Sequence, residues 1–184
     1  PPGGAVWEPS DAGIPTGAGN VDDLEYEPVS ETYFATTSTG EVYASADGGA
    51  NWELRNSGLG GIGSPSSVVA LDGAVLTSRP LGAVFRTTDQ GASWSRSLGE
   101  SGSPGTMIGH RGRLLFTLDR SLYFSDDAGL TWVEIPNVPH GSSVMKSDGD
   151  LVLAFSRSGT ASEALAYSAT DGLSWHLLPK DGLP

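Results

Sequence analysis

Ser45-Ala-Asp-Gly-Gly-Ala-Asn-Trp52 is a phrase that returns three times, as Thr87-Thr-Asp-Gln-Gly-Ala-Ser-Trp94, Ser125-Asp-Asp-Ala-Gly-Leu-Thr-Trp132 and Ser168-Ala-Thr-Asp-Gly-Leu-Ser-Trp175. The closing tryptophans stand 42, 38 and 43 residues apart. A period near forty, with no helical patterning between copies, predicts an all-β chain of β-propeller blades, each a four-stranded antiparallel meander. The phrase carries its own turn chemistry. Its hydroxyl and carboxylate accept hydrogen bonds from nearby backbone N–H groups. Its glycine supplies a positive φ, and its tryptophan is a large apolar wedge between neighbouring sheets.

The stretches between phrases divide into strands. In the second repeat, Ser67-Val-Val-Ala-Leu71 is apolar and β-branched, and Asp72-Gly73 signals a two-residue type I′ hairpin. Ala74-Val-Leu-Thr-Ser78 returns, Arg79-Pro-Leu-Gly82 turns, Ala83-Val-Phe-Arg-Thr87 follows, and Ser93-Trp-Ser-Arg-Ser97 is the outer strand. The first repeat reads the same way at 21–27, 32–36, 41–43 and 51–54, the third at 106–108, 113–117, 122–124 and 131–135, and the fourth at 143–145, 151–155, 165–167 and 174–178. The second strand of each repeat is almost continuously apolar, as expected of a strand covered on both faces.

This reading gives blades at 20–57, 58–98, 99–136 and 137–184 behind an N-terminal segment, 1–19. In that segment Val6-Trp-Glu-Pro9 matches Asn51-Trp-Glu-Leu54, so residues 5–9 are expected to be a stray outer strand of a further blade. The ring then either closes with four blades or is a section of a larger one, completed by another copy or a missing segment.

Composition narrows the function. The net charge is −12, and Lys146 and Lys180 are the only lysines. An acidic chain with no basic stripe is not expected to bind nucleic acid. No stretch approaches the roughly 18 apolar residues of a spanning helix, so membrane insertion is not expected. There is no cysteine, hence no disulfide framework and no thiolate metal site. The opening Pro1-Pro-Gly-Gly4 lacks both a Met and a signal-peptide pattern, and is expected to mark a processed or excised product.

The phrases resemble the Asp-box, or BNR repeat, of sialidases, sortilin-type receptors, xyloglucanase-type glycoside hydrolases and photosystem II stability-factor propellers. The residues that carry the resemblance are Ser45, Asp47, Gly49 and Trp52; Asp89, Gly91 and Trp94; Ser125, Asp127, Gly129 and Trp132; and Ser168, Gly172 and Trp175. The fourth copy departs from the pattern, with Thr170 in the Asp position and Asp171 displaced by one. The resemblance implies that these boxes are structural, on the rim away from the usual ligand face. Carboxylates spread over separate blades do not make a calcium cage, and no metal or cofactor is expected.

The opposite face carries Arg79, Arg120 and Arg157, each directly after a second strand, with His140 on a connection beside them. Three guanidinium groups around one mouth suit a carboxylate, sulfate or phosphate, and the resemblance to sialidases implies the same chemistry. The alternative is that each Arg caps its own blade and pairs with a local acid such as Asp119. Catalysis has less support. The sialidase Arg-Ile-Pro signature is absent, and Tyr26 points away from Glu25 and Glu27 by strand alternation. Asp22, Asp23, Glu25 and Glu27 are expected to be solvated charges of the channel or its loops, with attraction of a cation as the other reading. His110, His140 and His176 are scattered, His110 reading as turn surface, and the Gly-rich 58–63 reads as a loop.

The expected function is non-catalytic binding or scaffolding, with a glycan or protein ligand held by Arg79, Arg120, Arg157 and the connections 56–65, 99–105 and 137–142. The alternatives are a sialidase-like or divergent glycoside hydrolase, or part of one, and an assembly or stability factor. Family habit and the absence of cysteine place the protein outside the cell or in the periplasm.

Overall fold

The computed structural model describes residues 8–60, 63, 67–80, 83–99, 102–119, 121–136, 142–148, 151–156, 165–168 and 173–177. They form four antiparallel four-stranded sheets, each a meander in chain order. The first holds β1 (Val21–Glu27), β2 (Thr32–Thr37), β3 (Val42–Ser45) and β4 (Glu53–Leu54). The second holds β5 (Ser67–Leu71), β6 (Ala74–Arg79), β7 (Ala83–Thr87) and β8 (Ser95–Leu98). The third holds β9 (Pro104–His110), β10 (Arg113–Leu118), β11 (Ser121–Ser125) and β12 (Val133–Ile135), and the fourth β13 (Ser142–Asp148), β14 (Leu151–Ser156), β15 (Leu165–Ser168) and β16 (His176–Leu177). No helix among the described residues is long and apolar enough to cross a membrane.

The sheets stack like the blades of a propeller. The first strands neighbour one another in order, β1 beside β5, β5 beside β9 and β9 beside β13, with no contact of similar extent between β13 and β1 among the described residues. Strand alternation supplies both flanks of each sheet. Phe34 and Val42 of the first sheet pack with Val68, Val75, Phe85 and Trp94 of the second. Leu76 and Val84 of the second pack with Met107, Leu114 and Phe116 of the third. Leu115, Leu122 and Ile135 of the third meet Leu173 and Trp175. The remaining flank of the first sheet is partly covered from the N-terminal side, where Ile14 and Ala18 pack on Ala35, Tyr43 and Trp52. Beyond that cover Leu24 is 54% and Tyr26 43% exposed.

The short turns follow the residues that allow them. Asp72 and Gly73 both have positive φ, 49° and 77°, as a type I′ hairpin requires. The three described phrase turns are built alike. Ser45 Oγ donates to Asp47 Oδ1 (2.8 Å) and accepts from Gly49 N (2.9 Å), while Asn51 N and Nδ2 donate to the two Asp47 oxygens, each at 2.8 Å. Thr87, Asp89, Gly91 and Ser93 repeat this arrangement, as do Ser125, Asp127, Gly129 and Thr131. Gly129 shows why glycine stands there: its φ is +83°, and a Cβ would collide with Leu76 Cδ2 of the sheet before it.

Trp52, Trp94 and Trp132 each fasten their turn to the preceding segment of chain. Trp94 Nε1 donates to the Arg55 carbonyl (2.7 Å) and its backbone N to Ser57 O (2.9 Å). Trp132 Nε1 donates to Ser97 Oγ (2.8 Å), which in turn donates to Gly129 O. Trp52 is held in the same manner by residues that precede the first sheet: Nε1 donates to Ser10 O (2.8 Å) and the backbone N to Ala12 O (2.8 Å). Gly13 and Gly58, with φ of +94° and +84°, occupy matching places, since a Cβ on either would collide with the carbonyl oxygen of the tryptophan it faces. Residues 10–13 thus sit on the first sheet as 55–58 sit on the second. The sequence places the tryptophans within the outer strands, but β4, β8 and β12 begin after them. For Trp52 and Trp94 the cause is plain, because the backbone N–H is spent on the linking segment rather than on the sheet.

Hydrogen bonds from Asn51, Ser93 and Thr131 hold the carboxyls of Asp47, Asp89 and Asp127 down to about 2, against an ordinary 3.8. A lowered folded-state pKa gives stability that is complete above the ordinary aspartate range and is lost as pH falls through about 2. The urea-unfolding midpoint is therefore expected to hold down to about pH 4 and to drop between pH 4 and 2. Asp89→Asn is expected to shrink that drop when midpoints are compared at pH 5, 3 and 2.

Candidate functional site

Because every sheet is a meander, its two ends differ. One end carries the phrase turns and the hairpins joining first to second strands. The other carries the turns joining second to third strands and the connections between sheets. At the phrase end, both oxygens of each described phrase aspartate are taken up by its own turn. A small cavity of about 200 Å³ lies there between the first and second sheets, lined by Thr32, Ala44, Asp47, Glu53, Arg55 and Gln90 among others. Its charged groups are already paired, with Arg55 Nη2 2.6 Å from Glu53 Oε2.

Arg79 ends β6 at the opposite end. It is only 4% exposed. Alternation along β6 puts Val75, Thr77 and Arg79 on the flank facing the first sheet, and Gly40 of the β2–β3 turn adjoins its Nη1. Burial pushes its pKa down. Arg120, Arg157 and His140 lie outside the described residues. Of the connections assigned to this end, 56–60 folds back through Val42 N donating to Asn56 Oδ1 (2.9 Å). The next is shorter than the sequence suggests, for β9 already begins at Pro104, and Ser103 N donates to Asp119 Oδ1 (2.7 Å). The 137–142 connection is outside the described residues up to Ser142.

The acidic run of β1 departs from expectation. Asp23 and Glu25 are not free solvated charges: Asp23 Oδ2 accepts from Val68 N (2.9 Å) and Glu25 Oε1 from Ala70 N (3.0 Å), both on β5 of the next sheet. Glu27 is buried and accepts from Val29 N (2.9 Å) and Ser30 N (2.7 Å). An i, i+2, i+4 spacing sends all three carboxylates to one flank, where two of them satisfy N–H groups on the facing edge of β5. Burial raises the Glu25 carboxyl, the Ala70 N–H pulling it down and the Asp23 charge adding to the rise. Burial acts on Glu27 too, but the hydrogen bonds of Ser30, Val29 and Gly73 outweigh it and hold that carboxyl below its usual value. Tyr26 points the other way and lies 4.7 Å, ring to ring, from Tyr33. His110 is a second departure, buried at the end of β9 rather than on the turn surface, because the register pairs it with Arg113 across the hairpin. His176 is exposed on β16. No cluster of three or more potential metal ligands occurs among the described residues.

The fold is that of part of a β-propeller. A GH74 enzyme from Niastella koreensis superposes with a TM-score of 0.65 at 20% identity, over 86% of this chain and 24% of that one. YCF48 bound to D1 peptide superposes with a TM-score of 0.66 at 18% identity, over 87% of this chain and 55% of that one. In sequence, 65 residues are 42% identical to vacuolar protein sorting/targeting protein 10 of Pyricularia oryzae, a stretch that is 34% of this chain and 4% of that protein. No family model matches. The chain thus spans 24% of the GH74 enzyme, 55% of the peptide-bound YCF48 and 4% of the sorting protein.

Removing both edge carboxylates by Asp23→Ala with Glu25→Ala leaves the Val68 and Ala70 amides unpaired, Val68 being fully enclosed. The double variant is expected to lose about 2–6 kcal/mol, at 1–3 kcal/mol for each unsatisfied buried group, measured by urea unfolding at pH 7.

Proposed function

We propose that this chain is a non-catalytic binding or scaffold platform, and that its ligand, a protein in preference to a glycan, meets the end of the sheets opposite the phrase turns. The observation that carries the reading is the contrast between the ends. The phrase carboxylates are consumed by their own turns, whereas the opposite end has a guanidinium, Arg79, whose Nε and Nη2 make no hydrogen bond among the described residues. In this reading Arg120, Arg157 and His140 join Arg79 around the mouth, with the connections 56–65, 99–105 and 137–142. The phrases are read as Asp-boxes with a structural role. A protein ligand is favoured because one similar propeller, YCF48, was solved with a bound peptide, and another similar chain belongs to a nidogen/laminin complex. The likeness to a sorting protein supports a place in the secretory pathway or outside the cell.

A glycoside hydrolase is the second reading, favoured by the GH74 likeness. It stands second because Asp23 and Glu25 are engaged with the β5 backbone rather than set across a cleft. An assembly factor is the third, and differs from the first only in its partner.

The test uses the full chain on peptide and glycan arrays and with chromogenic glycosides. The expected result is saturable peptide binding, weakened about tenfold or more by Arg79→Ala, Arg120→Ala and Arg157→Ala together, with an unchanged circular dichroism spectrum and no glycoside turnover. Turnover abolished by loss of one acid would overturn the proposal in favour of the hydrolase. Light scattering fixes whose face is used: a monomer of 19.0 kDa keeps the mouth within one chain, and a dimer shares it.

A further inference from the structure

The residue before each phrase is, in chain order, Ala44, Arg86, Phe124 and Tyr167. It is the last but one of its third strand, and shares a flank with the residue two before it. Val42 packs toward the second sheet and Val84 toward the third, so Ala44 faces the first seam and Arg86 the second. Arg86 spans its seam: Nε donates to the Ala128 carbonyl, in the phrase turn of the third sheet (2.7 Å). Phe124 packs in the cluster that reaches Leu173. At the first seam an alanine stands where the next two seams carry a long or bulky side chain.

The cavity of about 200 Å³ at the phrase end lies at that place, and Ala44 lines it. Gln90 lines it from across the seam, and holds in the second phrase the position of Ala128 in the third. Because the phrase turns are built alike, the Gln90 carbonyl stands to the first seam as the Ala128 carbonyl stands to the second. The charged groups of the lining are two carboxylates, Asp47 and Glu53, and one guanidinium, Arg55. Arg55 engages Oε2 of Glu53 (2.6 Å) and leaves Oε1 for another donor. The rim is open, with Asp47, Asn51, Glu53 and Gln90 exposed. A chain of net charge −12 draws cations toward such a rim.

We propose that this cavity takes the guanidinium of an arginine presented by a protein partner, seated as Arg86 is seated in the next seam. The planar fork donates to the Gln90 carbonyl, and Glu53 supplies the counter-charge. The cavity gives the space that alanine leaves, and the second seam gives the pattern of the bond. The site goes beyond the binding reading of the opposite end, since neither Arg79 nor its neighbours take part. Failure of either proposal leaves the other standing.

The test is an amide-shift NMR titration of the full, nitrogen-labelled chain at constant ionic strength. The probes are ethylguanidinium, held well below denaturing concentration, and acetyl-Gly-Arg-Gly amide. Both are expected to give saturable shifts at Ala46, Asn51, Glu53 and Gln90, and none beside Arg79. Ethylammonium, of equal charge but without the planar fork, is expected to bind about tenfold more weakly. Glu53→Gln is expected to weaken ethylguanidinium several-fold. Ala44→Arg, which supplies the guanidinium from within, is expected to abolish the response. Should that variant fail to fold, Ala44→Met, which fills the space without charge, is expected to do the same. No saturable shift, or shifts spread evenly over the acidic surface, would overturn the site, as would an undiminished response in either Ala44 variant. Ethylammonium binding as well as ethylguanidinium would overturn the guanidinium. A peptide that fails where ethylguanidinium binds would overturn the protein partner in favour of a small free guanidine.

Discussion

A tryptophan handed across a seam is the interaction on which this architecture rests. A four-stranded meander of about forty residues has two apolar flanks and too little volume to bury either alone, so each sheet is stable only against a neighbour. The phrase turn solves this locally. Its serine or threonine, its aspartate and its glycine fold the hairpin tightly enough to seat it on the preceding sheet. The indole that follows fills the seam and donates to a backbone carbonyl or hydroxyl of that sheet's exit. The same side chain thereby supplies area and register: the apolar body excludes water, and the single N–H fixes how far one sheet may slide along the next.

The first strands add a second tie of a different kind. In each sheet the β1-type strand presents an edge of unpaired backbone groups toward the middle of the molecule. Between the first two sheets Asp23 and Glu25 reach across and cap two amides of β5. The arrangement protects the edge with charge and holds neighbouring sheets together at once. Its electrostatics are mixed, since half-burial works against Glu25 while a dense set of donors favours Glu27. The seam between these sheets therefore carries acids along its inner edge and an arginine at one end, with an apolar middle of Phe34, Val75 and Phe85.

Most of this architecture is legible in the sequence, for physical reasons that can be named. Alternating and continuous apolar runs fixed the strands of the second repeat nearly to the residue, because β6 is covered on both faces and β5 on most of its length. Asp72-Gly73 announced its hairpin because Asp-Gly readily takes the two positive φ values of a type I′ turn. What the sequence hid lies between sheets. Alternation told which flank Asp23 and Glu25 occupy, but not that backbone amides would wait there. His110 read as surface from its Arg-Gly neighbours, and the strand register buried it. For Arg79 the position was visible and the surroundings were not: a residue after a second strand points outward in a single sheet, and only the stacking of a second sheet encloses it.

Residues 10–13 have a consequence for how such a chain grows. They meet the first sheet through the same carbonyls and the same positive-φ glycine that 55–58 bring to the second. The joint is thus a standard coupling, indifferent to which sheet stands behind it. A repeat duplicated or excised as a unit between two such couplings keeps the tryptophan and glycine contacts of the joint itself. Genetic change can then lengthen or shorten the array in steps of one sheet, with no intermediate in which a seam is left without its wedge.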